Sequence, residues 1–182
     1  MKNIILILLL FVSGTAFCQV IIGDAVGTAT DKTSVLVEFA AGQNKGIILP
    51  YVKVKPAGTG LVEGTIILDA SDPTKAKVKY YNGSPSWVDL SSGDKADITS
   101  AMTIQSSTVI ENSSARAIIG ARVSDADGVL VLESQTKAMI LPMVTSTDDI
   151  PNPAPGMLVY INKTGAKRLA VFNGAKWTYW KP

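Results

Sequence analysis

Two stretches of this chain answer each other almost position for position, and that duplication restricts the fold more than any single residue does. Lys45-Gly-Ile-Ile-Leu-Pro50 matches Lys137-Ala-Met-Ile-Leu-Pro142 at an offset of 92, and Gly64 matches Gly156 at the same offset. Tyr81-Asn-Gly83 then matches Phe172-Asn-Gly174 at 91, and Trp87 matches Trp177 at 90. The drift amounts to two single-residue loop deletions. When turn residues and apolar residues stay in step over such a distance, the chain carries two copies of one supersecondary unit.

The local pattern within each unit is that of short strands. Val35–Phe39, Gly46–Leu49, Val52–Lys55 and Thr65–Leu68 are apolar or alternating runs bounded by Gly, Pro and Asn, which is how strands rather than helices are punctuated. Lys75, Lys77 and Lys79 alternate with Ala76, Val78 and Tyr80, the pattern of an exposed edge strand with a solvated cationic face. Asn82-Gly83 predicts a tight hairpin with two positive-φ residues, and Trp87 returns to cover it. In the second unit Met157–Tyr160, the turn Lys163–Ala166 and Arg168–Phe172 repeat this course, and Leu130 is aligned with Leu36. Ala117–Ile119 and Val129–Leu132 flank the polar turn Ser124–Gly128, a further hairpin signal.

Long amphipathic helical periodicity is missing. The expected fold is therefore all-β: two tandem copies of a short-strand β-hairpin unit joined by a Ser/Thr-rich connector. The boundaries read as an extended arm over 19–34, repeat 1 over 35–90, a connector over 91–116 containing one marginal strand between Met102 and Ile110, and repeat 2 over 117–182.

Residues 1–18 read as a signal peptide. A basic start at Lys2, an apolar run from Ile4 to Val12 and the sequence Ala16-Phe17-Cys18-Gln19 have the three parts of such a segment. The apolar run is too short for a membrane span of roughly 20 residues, and no transmembrane segment is expected in the mature chain. Cleavage after Cys18 would remove the chain's single cysteine. The alternative, lipidation of Cys18, is disfavoured by the bulky Phe17 before it. An exported protein at the cell surface or outside the cell is the expectation, with the periplasm as the alternative.

The chemistry available is narrow. The chain has no histidine, which removes the commonest general base and transition-metal ligand. Asp148, Asp149 and Glu133 show no pairing fixed by spacing, and Asp125 and Asp127 supply only two carboxylates where a calcium loop needs more. No catalytic residue, cofactor or metal site is expected, and the protein is read as a non-enzyme. Lys and Arg number 17 against 15 Asp and Glu, a balance that calls for no nucleic-acid partner. Trp87 and Trp177 sit beside matching turns and read as core. Tyr179 and Trp180 have no counterparts in the first unit, where Asp89 and Leu90 stand, so they are the candidate contact residues. Used as flat stacking faces they would make a carbohydrate-binding module.

The order K-G/A-(apolar)3-P, then N-P-A-x-G at Asn152–Gly156, then M-L-V-Y at Met157–Tyr160, then F-N-G-x-x-W at Phe172–Trp177 resembles a recurrent unit of secreted, surface-associated proteins of Bacteroidota. The resemblance is strongest over Val129–Trp177. The first unit has Gly60-Leu-Val-Glu-Gly64 in place of N-P-A-x-G. The resemblance implies a structural or adhesive, fibre- or adhesin-like surface module that forms a homo-oligomer, with a trimer as a candidate; separately from the resemblance, a surface glycan or another cell-surface protein is the further candidate partner. An Arg that commonly follows the Leu-Pro step is replaced by Tyr51 and Met143, which adds these two to the candidate contacts.

Overall fold

The computed structural model describes residues 19–83, 86–103, 105, 112 and 114–180. The proposed signal segment, Cys18 and most of the marginal strand expected between Met102 and Ile110 lie outside the described residues; Met102 itself ends a one-turn helix, α1 (Thr99–Met102).

The fold is all-β. Unit 1 contributes β1 (Val20–Ile22), β2 (Val35–Phe39), β3 (Ile47–Ile48), β4 (Tyr51–Val52), β5 (Ile66–Asp69), β6 (Lys77–Tyr81) and β7 (Trp87–Asp89). Unit 2 contributes β8 (Ala117–Ile119), β9 (Leu130–Leu132), β10 (Ala138–Met139), β11 (Met143–Val144), β12 (Met157–Ile161), β13 (Arg168–Phe172) and β14 (Trp177–Trp180). Proline and glycine keep these elements short: Pro50 and Pro142 have no N–H to give to a ladder, and Gly64 and Gly156 sit at φ of 86° and 77°, which a side chain would resist.

The duplication seen in sequence is a duplication of hydrogen bonds. The four-stranded sheet β4-β5-β6-β7 and the path β11-β12-β13-β14 of unit 2's five-stranded sheet have the same order, each opening with a parallel pair and continuing antiparallel. Gly64 N–H donates to Tyr81 C=O at 2.8 Å, as Gly156 N–H does to Phe172 C=O. Leu68 N–H reaches Pro50 C=O at 3.0 Å, and Tyr160 N–H reaches Pro142 C=O at 2.9 Å. Each hairpin is closed by an aromatic pair, Tyr81 with Trp87 at 5.5 Å and Phe172 with Trp177 at 5.2 Å between ring centroids.

Several local expectations are corrected. β8 and β9 pair parallel, not as a hairpin, because the chain between them crosses back to the same end before β9 begins. β1 pairs parallel with β2 in the same way, so the arm over 19–34 is extended but engaged. These two pairs also fix the register. Ala40 N–H bonds Ile22 C=O, and Glu133 N–H bonds Ile119 C=O, both at 2.9 Å; Leu130 faces Ala117 as Val37 faces Val20. Leu130 therefore stands in the place of Val37, one residue from the alignment with Leu36, a slip that reverses which face each side chain takes.

Lys75 of the lysine stripe ends a one-turn 3-10 helix (Pro73–Lys75) and pairs with Asp72 at 2.8 Å, and Lys77 and Lys79 lie on β6, an inner strand between β5 and β7. Its charges are matched by neighbours: Lys77 to Asp89 at 2.6 Å and Lys79 to Asp69 at 2.8 Å. Past β4 the alternation is not a strand, and Val54 is exposed. Among the described residues of the two hairpin loops, Gly83 and Gly174 take positive φ while Asn82 and Asn173 do not. Asn173 instead folds its buried side chain back to accept Ala175 and Lys176 N–H, each at 2.9 Å.

The units are interleaved. β10 of unit 2 adds to β2 of unit 1, and β3 of unit 1 adds to β12 of unit 2. One apolar core follows from this exchange: Leu49, Leu68, Val78, Leu90 and Ile98 pack with Leu158 and Val171. Residues 91–98, expected as part of the polar connector, help close it. Ser91, Ala96 and Ile98 are buried there, and Ala76 and Ala96 exchange backbone hydrogen bonds. At about 1.5–3 kcal/mol for each fully buried aliphatic side chain, this shared core outweighs any single polar contact between the units.

Candidate functional site

The four contact candidates occupy distinct places. Tyr51 and Met143 are equivalents, each opening the first strand of its sheet path directly after the matching proline, Pro50 or Pro142. Tyr51 is half-buried against the shared core, and burial raises its phenol pKa. Met143 lines a shallow cleft of about 230 Å³ with Thr28, Gly42 and Asn162.

Tyr179 and Trp180 are consecutive on β14 and so point to opposite faces of the sheet. The Tyr179 hydroxyl lies 3.0 Å from Thr147 Oγ1, and the Arg168 guanidinium sits over its ring at 4.6 Å. Trp180 Nε1–H donates to Leu90 C=O at 2.9 Å. Beside it Thr178 Oγ1–H donates to the same carbonyl at 2.7 Å. Trp180 thus ties unit 2 to unit 1. Asn173 does the same from the other end of the hairpin, where its Nδ2–H donates to Asp94 C=O at 3.1 Å.

Two buried carboxylates are not among the candidate contacts: Glu38 is not singled out by the sequence, and Asp69 with Asp72 supplies too few carboxylates for a calcium loop. Glu38 on β2 has no exposed surface. It accepts Gln19 Nε2 at 2.7 Å, the Thr28 and Ala29 N–H groups at 2.9 Å each, and Lys32 Nζ. Burial pushes its pKa up, but these donors outweigh burial and hold it below the ordinary value. Asp69 on β5 meets Lys79, Lys55 and Ser71, and these partners likewise overcome burial and hold its carboxyl well below the usual range. The available signal was a lone acid inside an apolar strand, Glu38 in Val-Leu-Val-Glu-Phe and Asp69 after Ile-Ile-Leu, since such an acid must be either exposed or fully partnered. Both are partnered by ordinary structural donors, and neither faces a second carboxylate. Among the described residues no group of three or more Cys, Asp or Glu converges as a metal site would require, and no helix is long and apolar enough to cross a membrane.

The surfaces that differ most between the units are strand edges. In unit 1, β2 is flanked by β1 and β10, and Val35, Leu36 and Val37 are buried. In unit 2, β9 pairs among the described residues with β8 alone. Val129 and Leu130 remain 57% and 49% exposed, whereas Val37, in the place of Leu130, is 1% exposed.

Residues 118–182 match the family model described as a phage tail like trimerisation region. Comparison with curated proteins and with solved structures found no match for the chain. The family match covers unit 2 from β8 onward, the unit with the open strand edge. It supports a fibre-like, homo-oligomeric structural role.

Proposed function

We propose that this protein is a non-enzymatic, exported structural component of a surface fibre or adhesin-like assembly, built as a homotrimer through unit 2. The observation that carries this reading is the trimerisation-region match over residues 118–182. The half-exposed Leu130 and the edge of β9 that no described strand pairs agree with it, because a strand edge with apolar flanks is a template for another chain. The Bacteroidota surface-protein resemblance of Val129–Trp177 supplies the expected location.

A carbohydrate platform built on Tyr179 and Trp180 fits the geometry less well. Their rings leave opposite faces of β14, and the Trp180 N–H is already used on Leu90. Sedimentation equilibrium of the protein gives the test: a mass three times that of the chain is expected, and a monomer at all concentrations would overturn the reading.

A further inference from the structure

The strand that opens each repeated motif has two hydrogen-bonding edges, and each unit of the chain uses a different one. In unit 2, β10 turns its even-numbered N–H groups to unit 1: Ala138 N–H donates to Ser34 C=O and Ile140 N–H to Val37 C=O, both at 2.8 Å. In unit 1, β3 turns the odd-numbered edge to unit 2, with Leu49 N–H on Gly156 C=O at 3.1 Å and Ile47 opposite Leu158. Gly46 and Ile48, the equivalents of Ala138 and Ile140, therefore present the edge that β10 uses on β2. Ile48 is 54% exposed.

Their equivalent acceptor is β9. Leu130 occupies Val37's place in the parallel β8–β9 pair, and its neighbourhood is open where Val37's is closed by β10. We infer that β3 of one molecule adds in parallel to β9 of a second copy of this chain, with Ile48 N–H donating to Leu130 C=O and Ile47 opposite Leu130. The junction between molecules then repeats the junction between units inside one molecule.

The same equivalence predicts the reciprocal bond. Leu141 N–H on the odd edge of β10 meets Gly64 C=O of the copy that supplies β3, as Leu49 N–H meets Gly156 C=O within the chain. Such an interface is head-to-tail: the donor strand lies in unit 1 and the acceptor edge in unit 2, so repetition builds a ring or a filament according to whether the rotation closes. Strand addition of this kind draws its affinity from main-chain hydrogen bonds. Leu130 and Val129 supply the apolar surface to be covered.

This inference rests on the homo-oligomeric reading, and the experiment separates the two. Full-length chains in a Cys18→Ser background, one carrying Ile47→Cys and the other Leu130→Cys with distinguishable tags, are co-expressed and oxidised, and mass is measured in parallel. The expected result is a disulfide-linked pair containing both tags, absent when either variant is expressed alone. Leu130→Lys, at a position half-exposed in the monomer, is expected to preserve the fold by circular dichroism and to reduce the oligomer to monomer. An oligomer of unchanged mass with no mixed cross-link, or self-linking of Leu130→Cys alone, would overturn the strand assignment while leaving oligomerisation standing. A wild-type monomer would overturn both.

Discussion

Units 1 and 2 share one hydrogen-bond skeleton and differ in how they cover it. On the outer face of unit 1's four-stranded sheet stand Asp69, Lys79, Lys77 and Asp89, joined in ion pairs. The equivalent places in unit 2 are Ile161, Ala170, Arg168 and Tyr179. Ile161 and Ala170 belong to a second apolar cluster with Val144, Met157, Val159 and Ile150, against which Ala154 packs. The loop over Asn152–Pro155, whose place in unit 1 is taken by Gly60–Glu63, is part of that cover, and the Ser146 to Asp149 capping box fixes its approach. The repeated residues set the path of the backbone. The unrepeated ones decide whether a face is closed by charge pairs, by a loop or by another strand.

The strongest break in this comparison comes from the core the units share. Leu68→Ala and Leu158→Ala remove buried side chains from opposite sides of one cluster, and each is expected to cost about 2–5 kcal/mol. Calorimetry should show a single transition lowered by either variant; two transitions, with only one moved by each variant, would mean that the units fold separately.

The charged cover of unit 1 is the next test. Asp69→Asn is expected to destabilise by about 1–3 kcal/mol, since Lys79 loses its charged acceptor. Because the folded carboxyl titrates below its ordinary value of 3.8, its contribution is fully present above that value and fades as pH falls below it. Glu38, also held low, adds in the same direction. Chemical denaturation between pH 6 and pH 3, conditions chosen to span roughly the carboxylate range, should show a steeper acid loss in wild type than in Asp69→Asn. Parallel curves would remove Asp69 from the account.

Two matched glycines sharpen the contrast further. Gly64 and Gly156 share positive φ, but a Cβ at Gly64 meets open space, whereas one at Gly156 lies 3.3 Å from Leu68 Cβ. Gly64→Ala should cost about 1 kcal/mol from backbone strain alone, and Gly156→Ala measurably more in the same denaturation assay. The smallest effect is expected at Trp180→Phe. It loses the bond to Leu90 C=O, worth about 1 kcal/mol, and should leave the oligomeric mass unchanged; a glycan-array signal abolished by this variant would favour the sugar-binding reading.

The duplication, the turn positions, the aromatic hairpin closures and the all-β class were legible in the residues, because each depends on neighbours close in sequence. Pro50, Gly64 and the Tyr81–Trp87 pair do the same local work as Pro142, Gly156 and the Phe172–Trp177 pair wherever the units sit. The tertiary structure alone decided that β8 and β9 run parallel, that the lysine strand is internal, that Leu130 takes Val37's place, and that each unit lends a strand to the other. A period-two pattern says which side chains share a face. It does not say which strand lies alongside, and backbone N–H and C=O groups carry no sequence label of their own. Burial followed the same division: Val37 and Leu130 are both strand residues of suitable chemistry, and only the presence of β10 beside one and not the other made the first core and the second surface.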